Sequence, residues 1–167
     1  MSQQSVYLKL KVGGNDVTGE STVHNMGGED VTDAIECIGF EQLLSVGYDP
    51  RASRPTSPVA FGPVRVRKEI DKATPVLAQA LTGTSPTEAM FHFFRQASTG
   101  AGTKEFYRVK LENARIARVE SLVAEREGSE NPREIVDFVF SKISWTYIAE
   151  DGSTTEHSWD WTQQPNA

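Results

Sequence analysis

The sequence predicts a mainly β domain with one short α-helix, and three observations carry that prediction. The dominant hydrophobic period is two, two of the strand-like runs change phase part-way along, and one stretch alone, Glu69 to Gly83, has helix start and stop signals. At 167 residues the chain has the size of one domain and can bury a core without disulfides or metal. Neither repeats nor an internal boundary interrupt it, so a single domain over residues 1–167 is expected.

In VYLKLKV, Val6, Leu8, Leu10 and Val12 share one face while Tyr7, Lys9 and Lys11 share the other, as in a half-buried strand. GGND at 13–16 has the chemistry of a hairpin turn. GPVRVRKEI repeats the alternation, with Val64 and Val66 set against Arg65 and Arg67. AMFHFFRQA (89–97) and KEFYRVKLENARIARV (104–119) are further aromatic or β-branched runs, joined by the glycine-rich hairpin loop STGAGTK (98–104). After a polar loop, AEREGSENPRE (124–134), the run Arg133–Glu150 is the longest expected strand. The turn EDGS (150–153) leads into TTEHSWDWT, where Trp159 and Trp161 stand two apart and point the same way.

Two of these runs slip in phase. Val136, Phe138 and Phe140 occupy even positions, then Ile143, Trp145 and Tyr147 odd ones; Tyr107, Val109 and Leu111 likewise give way to Ala114 and Ile116. A slip flips the buried face, which a β-bulge or a strand crossing between sheets would produce, as in barrels and orthogonal sandwiches. The other reading is that both faces of Val136–Phe140 are buried.

The helix is expected within EIDKATPVLAQALTG. Thr74 can cap its N-terminus, Pro75 fits the first helical position and Gly83 fits just past the end. Leu77 and Leu81 stack at i, i+4, and two turns cannot stand alone in water, so this face must pack on the sheets. Asp71, Lys72, Thr74, Pro75, Leu77 and Leu81 are therefore read as a structural strand-to-helix joint.

The segment GYDPRASRPTSPVAFG (47–62) is odd on physical grounds, with Pro50, Pro55, Pro58 and two arginines between strand-like flanks. A structureless loop of this length is uncommon in a compact domain, and proline lowers the entropy lost on docking. It reads either as an arm that orders on contact or as a floppy loop.

Composition excludes several functions. With 17 basic against 23 acidic residues, a net charge of −6 and a pI near 5.1, the chain lacks the basic field of a nucleic-acid binder. One cysteine, Cys37 in AIECIGF, rules out an internal disulfide and reads as a buried, inert thiol. The N-terminus has no signal-peptide pattern, and no 18-residue apolar run suggests membrane insertion. His24, His92 and His157 are far apart with no partner at ligand spacing, so no metal is expected; His92 reads as a strand-surface or core-edge residue. Glu29, Asp30, Asp33 and Glu36 cluster, but in the glycine-containing polar run GGEDVTD, which reads as a solvated loop rather than an acid–base pair. There is no G-x-S-x-G elbow, and neither GAGTK nor NMGGED has Walker spacing, so no cofactor is expected.

Four stretches in order resemble the haemolysin-coregulated protein (Hcp) family, the tube subunit of type VI secretion. These are the first strand followed by DVTGEST (16–22) with its Gly19-Glu20 step, VRVRKEIDKATPVLAQALTG (64–83), FYRVKLENARIARVES (106–121) and NPREIVDFVFSKISWTYIAEDG (131–152). HNMGGEDVTDAIECIGFEQ (24–42) departs from the family's wording. The resemblance implies a compact two-sheet β-barrel with one short helix, similar to phage tail-tube proteins, assembling as a homohexameric ring. Stacked rings would form a hollow tube propelled with a spike out of the bacterial cell, without catalysis and without a signal peptide. Its implied partners are itself, the contractile sheath, the spike protein and small effectors held in the lumen. The family's loop equivalent to 47–62 contacts neighbours, which makes Tyr48, Asp49, Pro50, Arg51, Arg54, Pro55 and Pro58 interface candidates. The chain stops soon after its last strand, so a bare tube domain without an effector extension is expected. Two alternatives are a cytoplasmic ring-shaped effector chaperone or adaptor, and a small β-barrel hydrolase, for which the sequence offers no convergent acid–base set.

Overall fold

The computed structural model describes residues 4–100, 102–123 and 132–163. In chain order it has β1 (Ser5–Val12), β2 (Asn15–Val17), β3 (Ile35–Glu41), β4 (Leu44–Ser45), β5 (Tyr48–Asp49), β6 (Arg54–Pro55) and β7 (Ala60–Phe61). There follow β8 (Val64–Glu69), the helix α1 (Thr74–Thr82), β9 (Thr87–Gln96), β10 (Thr103–Leu122), β11 (Arg133–Ile148) and β12 (Thr154–Asp160). The loop expected over 124–134 lies, up to residue 131, outside the described residues.

Six strands run β10–β9–β1–β3–β8–β11, and β11 pairs back to β10, so an antiparallel barrel closes. The expected β-barrel with one short helix is thus what forms. Closure follows from the alternation: each strand buries one face, and a sheet closed on itself covers those faces and leaves no open edge in the ring of strands. Leu8, Leu10, Ile35, Val64, Val66, Phe91, Val109, Leu111, Phe138 and Ile143 fill the interior. Outside the barrel, loop 18–34 lies over β1 and β9, burying Tyr7, Val31, Ala34 and Phe94 in a second small core.

The turns behave as their residues dictate. Val12 faces Asn15 across Gly13-Gly14, both with positive φ (57° and 83°), where a side chain would be strained. Gly19 is required for a different reason: a Cβ there would collide with the Ala34 carbonyl.

Both phase slips are present, and they coincide. Val109, Leu111, Ala114 and Ile116 are buried along β10, and Val136, Phe138 and then Ile143 along β11. The slips face one another, with Glu112 opposite Lys142, Ala114 opposite Phe140, and the Asn113 amide donating to Ser141 Oγ at 3.0 Å. The pairing register of the two strands runs through this point undisturbed; the break lies in the β9–β10 ladder, between Leu111 and Ala114, where Asn113 has φ 47°. There β11 also changes neighbours, pairing with β8 up to Phe138 and with β12 from Lys142. A register shift between β10 and β11 does occur, further along at Ile116/Arg118. β10, at 20 residues, is longer than β11 at 16, contrary to the expectation that the run from Arg133 would be longest.

The helix forms as expected but begins differently. Thr74 is inside it, Ala73 sits at the N-cap with helical angles, and no side chain caps it. Gly83 ends it with its N–H donating to the Gln79 carbonyl, while the left-handed position falls to Thr84 (φ 50°). Leu77 and Ala80 are buried in the main core, and Leu81 packs at its edge.

Candidate functional site

Between β3 and β8 the chain leaves the barrel as an ordered finger. β4 pairs with β7 (Leu44 opposite Phe61, Ser45 opposite Ala60), and beyond them β5 pairs with β6 (Tyr48 opposite Pro55, Asp49 opposite Arg54). Neither a structureless loop nor a floppy one, the segment is a two-tier hairpin. Its strands are too short to show a period, so the sequence reads only as proline-rich punctuation. Side chains and backbone close it locally: the Thr56 N–H donates to the Gly47 carbonyl at 2.8 Å, Gly47 N–H to Ser57 Oγ at 2.8 Å, and Arg51 N–H to Asp49 Oδ1 at 2.9 Å. Ser53, with φ 49°, turns the tip.

The base of the finger is anchored by aromatics. Phe61 packs against Phe140, Trp145, Trp159 and Trp161 at ring-centre distances of 6.0, 6.4, 5.8 and 5.0 Å. Trp159 and Trp161 thus do point the same way, toward this ring. Trp145 donates its indole N–H to Gln42 Oε1 at 3.0 Å, holding the point where β3 becomes the finger.

Above that base the finger is left open among the described residues. Tyr48, Pro50, Arg51, Arg54, Pro55 and Pro58 are all exposed, and Asp49 is half-buried. Leu43 is 65% and Tyr48 69% exposed, with Leu44 and Val46 also open, which is unusual for large apolar side chains on an ordered hairpin. Leu43, Leu44 and Val46 escape sequence reasoning because an apolar run beside a strand reads as core.

The joint at the other end of β8 carries a buried polar knot that the sequence reading does not contain. Lys68 and Glu134 stand directly opposite each other on β8 and β11 and are ion-paired, with side chains 1% and 0% exposed. Lys68 Nζ also donates to Asp71 Oδ1 and to the Glu69 carbonyl, both at 2.8 Å. Thr74 Oγ1 donates to Glu134 Oε1 at 2.8 Å and accepts the Asp71 N–H at 3.2 Å, which is why it does not cap the helix. Asp71 Oδ1 instead accepts the Ala73 N–H at 3.0 Å. Of the joint residues, Asp71 and Thr74 are in the knot, Leu77 is in the core, Leu81 lies at its edge, and Lys72 and Pro75 are exposed. A signal was present: Lys68 shares the phase of Val64 and Val66, and Glu134 that of Val136 and Phe138.

Among the described residues the remaining titratable groups are engaged in structural contacts. His92 is buried, its Nδ1–H donating to Glu105 Oε1 at 2.8 Å, and Arg108 grips the same carboxylate. Burial pushes the Glu105 carboxyl up, but hydrogen bonds from His92 and Arg108 outweigh it and bring it down to about 2. His24 Nδ1 lies 2.9 Å from Thr32 Oγ1, and His157 stacks flat on Trp145. Glu29 pairs with Lys9, and the Asp30 carboxyl, bonded to Thr32, lies below its ordinary value. Burial drives the Cys37 thiol up to about 12, as an inert core cysteine requires.

Residues 7–147 match the family described as "Type VI secretion system effector, Hcp". The chain is 32% identical over 148 residues to the "Major exported protein" of Pseudomonas aeruginosa, covering 85% of this chain and 83% of that one. In structure it is similar to a variant of the Hcp1 protein from the E. coli EAEC 042 pathovar (TM-score 0.77, 29% identity, 94% of this chain and 98% of that chain). The secreted protein Hcp3 of Pseudomonas aeruginosa shares the fold (TM-score 0.71, 24% identity, 95% and 99%).

Proposed function

The chain belongs to the Hcp family of type VI secretion proteins, exported structural proteins rather than enzymes, and from that premise we propose that it is the subunit of the secretion tube. In this reading six copies close into a ring, rings stack into a hollow tube, and the tube leaves the cell with the spike, inside the contractile sheath and with small effectors in its lumen. The number six and the partners follow from the family resemblance.

The observation that carries the reading is the finger. A closed barrel has no free edge around its ring of strands, so further copies must be added through elements outside it. An ordered hairpin exposing Leu43, Leu44, Val46 and Tyr48 is such an element, since large apolar groups held open in one copy are stabilised by cover from another. A contact between a finger and a different surface is heterologous: it closes into a ring if the rotation allows and otherwise propagates. The whole of 1–167 acts as one tube domain.

Light scattering with negative-stain microscopy of the purified protein tests this. Six-membered rings with an open centre are expected. A monomer at micromolar concentration overturns the reading. Replacing residues 47–57 by an Asn-Gly turn should leave the barrel's unfolding transition in place while weakening assembly; unchanged assembly would retire the finger as its agent.

A further inference from the structure

We propose that Met90 and His92 form a binding site for a soft monovalent cation, Cu(I), on the outer face of β9. The site lies within one copy and does not depend on the tube-subunit reading.

Met90 and His92 are alternate residues of β9, so both leave the strand on the face opposite Ala89 and Phe91, which are buried in the core. Their Cα atoms stand about 7 Å apart, a span that a flexible methionine closes to bring its sulfur and the imidazole onto one ion. Both residues line a cavity of about 260 Å³, whose other walls include Glu88, Asp16, Lys9 and Lys11.

The histidine is already held as a metal ligand is held. Its side chain is 6% exposed, and Nδ1–H donates to Glu105 Oε1 at 2.8 Å, while Arg108 Nη2 donates to the other oxygen of that carboxylate at 2.9 Å. A carboxylate behind the ring sets the orientation and tautomer of a ligating imidazole. In the neutral ring the lone pair then sits on Nε2. That nitrogen makes no hydrogen bond among the described residues and is not one of the sealed, unpaired polar atoms, so it is open to a ligand.

Donor chemistry and local charge select the ion. Thioethers select Cu(I), and imidazole suits copper as well. Both donors are neutral, so the bound ion keeps its charge and the surroundings must tolerate it. Of the cations flanking the pair, Lys9 is taken by Glu29, Arg108 by Glu105, and Lys110 by Glu88 and Glu112. Lys11 has no ion pair among the described residues, but it stands opposite Glu88 on the neighbouring strand. A single positive charge fits this balance. A hard divalent ion would call on the Asp16 and Glu88 carboxylates instead of the sulfur.

The test titrates Cu(I) anaerobically into the protein against a chromophoric Cu(I) chelator. Cys37, though buried, is replaced by alanine so that no thiolate competes. One Cu(I) per chain should be withheld from the chelator. Met90→Leu, which keeps the bulk of the side chain, and His92→Gln should each weaken binding by at least the roughly 10–100-fold that loss of an outer-shell partner costs. Met26→Leu should leave it unchanged. With carbon-labelled methionine methyls, the Met90 resonance should move as Cu(I) is added while those of the other methionines stay in place. Unchanged metal-free melting of Met90→Leu separates loss of a ligand from damage to the fold. Full Cu(I) retention by Met90→Leu, loss of binding in Met26→Leu, or no Cu(I) withheld from the chelator overturns the site. Zn(II) bound as tightly as Cu(I) would assign the cavity to its carboxylates and overturn it as well.

Discussion

Replacing Lys68 by methionine tests the buried knot most directly. The side chain of Lys68 is 1% exposed and makes three charge-assisted contacts, to Glu134 Oε1, Asp71 Oδ1 and the Glu69 carbonyl. Methionine keeps the apolar stem and removes only the ammonium. Glu134, at 0% side-chain exposure, then retains a single partner, the Thr74 hydroxyl, while its other oxygen already has none among the described residues. Stranding a buried charge in this way costs about 3–5 kcal/mol. For a domain of this size that is a fall of roughly 6–20 °C in Tm. The assay is urea unfolding followed by tryptophan fluorescence at one fixed protomer concentration, because assembly adds stability by mass action. Lys142→Met is the control: its partner Glu112 is shared with Lys110 and the pair is partly exposed, so about 1 kcal/mol or less is expected. Adding Glu134→Gln to Lys68→Met removes the stranded charge, so the double variant should be more stable than the sum of the two single losses predicts. A Lys68→Met cost below about 1 kcal/mol, or additive losses in the double variant, would refute the knot as a coupled buried pair.

Three further outcomes follow from the same structure. Leu77, 1% exposed beneath α1, should cost about 2–5 kcal/mol as Leu77→Ala, and Leu77→Asp should yield no folded subunit; a soluble, cooperatively melting Leu77→Asp protein would show that the helix is not packed as described. Glu105 has its carboxyl lowered to about 2 in the fold, so its contribution is fully present above the ordinary carboxylate range and is lost as pH falls from about 4.5 toward 2. Glu105→Gln should therefore be less stable than the parent at pH 7, by about 3 kcal/mol at most, with the two converging near pH 2 in acid titrations followed by circular dichroism; parallel curves would refute the assignment. Cys37, its thiol pushed up to about 12, should resist iodoacetamide at pH 8 in the native protein and react in urea, and native labelling at the rate of a free thiol would contradict its burial.

How far the sequence reached depended on whether a feature was written in one segment or in two. The alternation of β1 and β8 and the glycine turn at 13–14 are local, and each is where its residues say, save that loop 18–34 also buries Tyr7 on the other face of β1. The slips in β10 and β11 are local too, visible as a change from odd to even positions in β10 and from even to odd in β11. Their coincidence is not: only pairing reveals that Asn113 and Ser141 face each other, so that the two longest strands turn together and β11 can pass from β8 to β12 without losing the β10–β11 ladder. The helix cap failed for the same reason. A threonine before proline is a sound local cap, but the Thr74 hydroxyl is held in the knot instead, its oxygen accepting the Asp71 N–H and its proton going to Glu134, sixty residues on. Lys68 and Glu134 each look misplaced alone, as charges in an apolar phase, and make sense only as opposite neighbours in a register the sequence does not print.

The finger was hardest to read because its large apolar side chains stay exposed among the described residues. Patterning rules assume that an apolar side chain is buried by its own fold. Leu43 and Leu44 are consecutive residues beside the Phe61 anchor and both are exposed, so no single buried face accounts for them. No alternation can encode that, since one face would have to be polar if water were its permanent neighbour. The proline spacing that reads as a loop serves the same end. Pro55 occupies β6, a two-residue edge strand on which a missing N–H is tolerated, and it stiffens a hairpin too short to be held by its own ladder. If the finger is the assembly element proposed above, its order before contact lowers the conformational entropy lost on docking.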